Sequence, residues 1–153
     1  MDIRQYLPPA LHTKRRLGYT YGVQFLPLSA SLTLTVDTQL KTDSYFLILA
    51  TTAVVTDTSD AAIASTASAF DPFNVPFLST LSDSATGEPR SNIGIAFMNQ
   101  YGTARDPFLW PAPWLLDPGA TLTVQLQNLI ATDRRVRLAF HGVRIYSPKI
   151  AGV

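Results

Sequence analysis

The chain is 153 residues long, 46% hydrophobic and only 15% charged, with no cysteine and a net charge of +1. That length fits one domain with a real core. The missing cysteines exclude disulfides and thiolate metal sites, and a near-neutral balance is weak for a protein built to hold nucleic-acid phosphates. A surface so thin in charge is poorly defended against association. It reads either as surface that another protein covers or as the Ser/Thr-rich exterior of a small β-domain.

Residues 1–16 carry a charge of +3, residues 17–133 carry −7 and residues 134–153 carry +5. Basic ends around an acidic middle suit head-to-tail pairing of copies or an acidic partner; solvated charges at strand ends give the same pattern. In residues 1–16, Pro8 and Pro9 stop any helix, and Tyr6, Leu7 and Leu11 stand beside Lys14, Arg15 and Arg16. We expect an extended N-terminal arm that docks on something, or a tail packed on its own domain. No segment reads as a secretory signal, and none approaches the roughly 18 apolar residues of a membrane span.

The β-domain, residues 17–153, begins with Gly18–Leu26, where Tyr19, Tyr21, Val23 and Phe25 share a face and Pro27 ends the strand. Ser31–Val36 follows, with Leu32, Leu34 and Val36 inward. Tyr45–Ala50 is continuously apolar, as in a central strand covered on both faces. Asp57–Ala69 is a surface loop or a weak helical turn capped by Ser59 or Asp60, and Phe70–Phe73 re-enters order. Phe77–Asp83 alternates again, Ser84–Pro89 turns, and Ile93, Ile95 and Phe97 mark another strand.

In Asp106–Pro118, four prolines space out Phe108, Trp110 and Trp114, which excludes a helix or a central strand. We place both tryptophans on an extended loop, either plugging one end of a sandwich or facing a partner. Thr121–Gln127 and Arg135–His141 then alternate as a closing pair of strands. In the last strand the apolar parity changes from Val136, Leu138 and Phe140 to Val143 and Ile145, so a β-bulge is expected at His141-Gly142. Seven or eight such strands predict an all-β, antiparallel two-sheet sandwich, a jelly roll, with an immunoglobulin-like sandwich as the structural alternative.

Chemistry is sparse. His12 and His141 are the only histidines, and no nucleophile elbow or Gly-rich phosphate loop occurs. Asp83 with Asp106 is the best carboxylate pair, and Asp57 with Asp60 the best calcium nominee, but turn-capping aspartates look the same. Arg135 and Arg137 share a strand face without any aromatic RNA-binding motif beside them. We expect no enzyme, no cofactor, no metal, no direct nucleic-acid contact and no membrane.

Three segments carry a resemblance: Phe77–Gly87 (FLSTLSDSATG), Trp110–Gly119 (WPAPWLLDPG) and Val136–Tyr146 (VRLAFHGVRIY). In this order, over roughly residues 75–146, they resemble small virion proteins of tailed bacteriophages, the jelly-roll capsid cement or decoration subunits. The resemblance implies a structural protein of the capsid exterior, made in the host bacterial cytoplasm. Its partners would be the major capsid protein, whose neighbouring subunits it bridges, and copies of itself as a dimer or trimer. The candidate partner-binding residues are Tyr6, Leu7, Leu11, Lys14, Arg15, Arg16, Phe108, Trp110 and Trp114. Because a jelly roll also serves in tails, collars and receptor- or glycan-binding modules, those are the alternative.

Overall fold

A computed structural model of the chain describes residues 2–59, 76–91 and 93–146. It contains strands β1 (Arg16–Leu28), β2 (Thr33–Gln39), β3 (Ser44–Thr56), β4 (Phe77–Asp83), β5 (Ile95–Ala96), β6 (Phe108–Leu116), β7 (Thr121–Asn128) and β8 (Arg134–Tyr146). They form two antiparallel four-stranded sheets, ordered β1-β8-β3-β6 and β2-β7-β4-β5. The fold is an all-β sandwich. The loop or turn expected over Asp57–Ala69 lies, from residue 60 on, outside the described residues, as does the re-entry at Phe70–Phe73.

Alternation builds the space between the sheets. Tyr21, Val23 and Phe25 of β1, Val136, Leu138 and Phe140 of β8, and Leu122, Val124 and Leu126 of β7 are all buried there, and their neighbours along each strand point away. An aromatic chain spans the gap. Phe77 of β4 meets Phe97 edge-on at 5.6 Å, Phe97 lies 4.7 Å from Tyr101, and Tyr101 reaches Phe140 of β8 at 6.2 Å. The expected strand at Ile93–Phe97 shrinks to the two residues of β5. Phe97 instead begins a short 3-10 turn that aims its ring into the core, while Ile93 is exposed.

A second apolar cluster lies on the outer face of the first sheet. Leu7 and Leu11 are buried against Leu47 and Ile145, with Ile3, Tyr6, Tyr45, Leu49, Leu115 and Val143 packed around them. Residues 2–16 are therefore not an extended arm. Two 3-10 turns, Ile3–Tyr6 and Pro9–Leu11, fold them onto their own sheet, tied down by His12 Nε2 donating to the Leu7 carbonyl at 3.0 Å and Arg16 donating to the His12 carbonyl at 2.8 Å. This cover explains the continuous apolar run in β3, which lies between β8 and β6 and is buried on both faces.

The same cover moves the expected bulge. β8 pairs with β1 without a break from Arg16↔Ile145 to Phe25↔Val136. On its other side Ile48 faces Gly142 and Ala50 faces His141, so the extra residue is Leu49 of β3. Val143 and Ile145 do not switch faces. They belong to the outward row, which is apolar because the N-terminal segment lies on it. The bulge presses the β3 backbone inward, and a Cβ at Gly142 would stand 2.1 Å from the Leu47 carbonyl oxygen.

The proline-rich segment is likewise a strand rather than a loop. β6 pairs with β3 as Phe46↔Leu116, Leu47↔Leu115 and Ile48↔Trp114, then resumes at Ala50↔Leu109. Trp110–Pro113 bypasses Leu49 as an unpaired excursion. Proline is barred from a strand with two neighbours, but β6 has only one, and Pro111 and Pro113 fall where no ladder bond is made.

Two stability predictions follow from this packing. Gly142→Ala should destabilise the fold by about 3 kcal/mol, because a backbone carbonyl cannot move away from the added methyl as a side chain could; the shift of the urea midpoint, read by circular dichroism, measures it. Leu11→Ala should cost about 2 kcal/mol, whereas a free arm would leave the midpoint where it was.

Candidate functional site

The nine candidate partner-binding residues fall into two places. The first is the N-terminal segment and the sheet end beside it. Leu7 and Leu11 are turned inward and Tyr6 is half-buried, while Lys14 and Arg15 reach solvent. Here Arg144, the last inward residue but one of β8, is buried with its guanidinium 5.0 Å from the Tyr19 ring and 5.1 Å from the Tyr146 ring. Its Nε donates to Ser44 Oγ at 2.9 Å, and its Nη2 donates to Asp43 Oδ1 at 2.6 Å. Arg15 approaches the Tyr146 ring at 5.5 Å, so two guanidinium groups meet one ring. For Asp43, burial works to raise the pKa, but the hydrogen bonds from Ser44 and Arg144 and the charge of Arg144 outweigh it and hold the carboxyl below its usual range.

The second place is the side of the sandwich bordered by β6. Trp114 is a core residue, only 2% exposed, which decides between plug and partner contact in favour of the plug for this ring. Trp110 is half-buried against it at 6.3 Å, and Phe108 meets Trp110 edge-on at 5.7 Å. The Arg90 guanidinium covers the Trp114 ring at 4.2 Å. Burial lowers its pKa below the ordinary arginine value, and the nearby Asp83 carboxylate offsets only part of that. Trp110 Nε1 is buried without a hydrogen-bond partner. Of this trio, Phe108 and Trp110 keep surface that a partner can touch.

His141 has a setting of its own on the outer face of the first sheet. Nδ1 lies 3.0 Å from the Thr20 hydroxyl on β1, and Nε2 lies 2.9 Å from the Thr52 hydroxyl on β3. Beside it is a concavity of about 330 Å³ lined by Ala50, Thr52, Ala104, Pro107 and His141. Ala104 and Pro107 are brought there by Gly102, which donates to the Thr51 carbonyl at 3.1 Å and accepts from Ala53 N–H at 2.8 Å. Both imidazole nitrogens are engaged by hydroxyls, so the ring ties β8 to β1 on one side and to β3 on the other.

Two of the remaining carboxylates hold turns. Asp83 caps the turn after β4, accepting from Ala85 N–H at 2.8 Å, Thr86 N–H at 2.9 Å and Thr86 Oγ1 at 3.1 Å. Asp57 accepts from Ser59 N–H and Oγ, and its nominated calcium partner Asp60 lies outside the described residues. Arg135 and Arg137 take part in interactions of their own. Burial pushes the Tyr101 hydroxyl above its ordinary range, against the opposing effect of the Ser79 hydroxyl 3.2 Å away. Among the described residues no group of three or more His, Cys, Asp or Glu side chains comes together, and no helix is long and apolar enough to cross a membrane. What these surfaces offer is contact area, cations and aromatic rings.

The sequence reading missed the Arg144 cluster. Continuing the inward even row of β8 past Phe140 and Gly142 would have found it, since that row ends on Arg144 and Tyr146. Compared with models of protein families, with curated proteins and with solved structures, the chain finds no match in any of the three.

Proposed function

We propose that this chain is a jelly-roll subunit of a phage particle that binds the capsid exterior and bridges neighbouring major capsid subunits. The observation that carries the proposal is the strand order. Two sheets ordered β1-β8-β3-β6 and β2-β7-β4-β5 interleave the first and last strands of the chain, as two nested Greek keys do, and viral capsid domains are a principal home of that arrangement. The three segments that carry the phage resemblance occupy β4 with its turn, β6 with its turn, and most of β8.

Tyr6, Lys14, Arg15 and Arg16 at one end, with Phe108 and Trp110 on the β6 side, make the docking surface. Leu7, Leu11 and Trp114 act from beneath, holding that surface in shape. An aromatic and basic contact on a charge-poor body suits an acidic protein surface, and repetition over a shell turns a modest interface into a large collective one.

Cryo-electron microscopy of purified particles, with the protein present and absent, tests this reading. Density repeated over the icosahedral shell is the expected result. Density confined to the tail or a unique vertex would overturn it in favour of a tail, collar or glycan-binding module. On such particles the pair Lys14→Glu with Arg15→Glu should weaken decoration about tenfold, equivalent to about 1.4 kcal/mol, with no change in the urea midpoint of the isolated chain.

A further inference from the structure

Among the described residues four strands have an unpaired side: β1 and β6 bound one sheet, β2 and β5 the other. An open strand side offers a row of free N–H and C=O groups to any extended chain, and folded proteins blunt it with brevity, proline, bulges or charge. Three of the four are blunted here. β5 is two residues long, β6 carries Pro111, Pro113 and the excursion between Leu109 and Trp114, and the seven residues of β2 include Asp37. β1 carries such devices only at its ends, Arg16 at the start and Pro27 with the register shift after Phe25 at the finish. It is 13 residues long, pairs regularly with β8 from Arg16 to Phe25, and holds neither a proline nor a charged side chain from Leu17 to Phe25. Among the described residues no strand pairs with its free side.

The outward row of the same strand agrees. Gly18, Thr20, Gly22 and Gln24 are exposed. A Cβ at Gly18 would meet nothing within 4 Å, and one at Gly22 only the Leu138 carbonyl at 4.0 Å, so nothing inside the monomer asks for glycine at either place. Glycine in a strand gives up roughly 0.5–1 kcal/mol relative to alanine and often marks the close approach of another backbone.

We propose that β1 is a homodimerisation edge. Two copies pair β1 antiparallel to β1 about a two-fold axis and join their β1-β8-β3-β6 sheets into one of eight strands. A second copy is the fitting occupant because the strand is self-complementary, as a two-fold contact requires. In a register centred on Gly22, Gly22 faces its own copy and Thr20 of one copy stands opposite Gln24 of the other, all within the regular part of the strand. No like charges meet. A flank about 43 Å long and two sheet layers wide offers on the order of 800 Å² per copy, the size of a standard stable interface. The dimer stands independently of the virion role, because it is measured on the isolated chain.

Sedimentation velocity over the micromolar range should show the dimer for the full chain. Gly18→Lys with Gly22→Lys should give a folded monomer, its dimer dissociation constant raised at least tenfold, while Gln127→Lys on β7, an inner strand of the other sheet, should leave the dimer intact. Since the chain has no cysteine, single cysteines add a second reading. Under mild oxidation Gly22→Cys should yield a disulfide-linked dimer and Gln127→Cys should not. A wild-type chain that stays monomeric overturns the proposal, as does an oligomer that survives both lysines. If the lysine variant fails to fold, the cysteine pair decides: cross-linking through position 22 upholds the edge, and its absence overturns it.

Discussion

Around Leu47 and Ile145 the sheet β1-β8-β3-β6 is apolar on both faces, and a sheet of that kind has to be covered twice. The second sheet provides one cover. The N-terminal segment provides the other, and because residues 3–11 span only part of the sheet, the outer face is divided. One half is a small core of its own; the other half carries Thr20, Thr52, His141 and the exposed row of β1. The bulge at Leu49 sits at the boundary. It offsets β3 by one residue against β8, so that Tyr45 and Leu47 face outward on one side of it and Ala50 and Thr52 do so on the other. Gly142 is the residue that lets β8 lie against that offset backbone.

The excursion in β6 belongs to the same boundary, because it bypasses Leu49 from the opposite side. Its prolines make no ladder bonds and shield the sheet edge, and the strand can then deliver two tryptophans to different depths. Trp114, in register with Ile48, goes into the core; Trp110, inside the excursion, stays at the rim. Proline, bulge and aromatic anchor are thus one construction rather than three features.

How much of this could be read from residues alone depended on whether a pattern had one physical cause or two. The alternation in β7 and in the first half of β8 has one cause, a single buried face, and both strands lie where the alternation puts them. The continuous apolar run in β3 also read correctly, since only double cover produces it. The parity change at Val143 had two possible causes, a bulge in β8 or a second core above it, and only the position of residues 1–16 separates them. Prolines in β6 state which place in a sheet is forbidden, not whether a strand exists. At the candidate surface, Lys14 and Arg15 were legible as cations, and both reach solvent, Arg15 more fully. The inward turn of Leu7 and Leu11 was not, because short 3-10 segments have no periodicity long enough to detect.

A chain with so few charges has to control association by means of its backbone. Lysine on strand edges, the commonest protection, is nearly absent here, and the open sides of the sandwich are closed by proline, by excursion or by brevity. Devices of that kind act where they stand and nowhere else, unlike charge, which repels at a distance. The stretch they leave open is Leu17–Phe25 of β1. In the dimer proposed above, copies meet along β1 and the basic and aromatic surfaces stay open to a partner of different character.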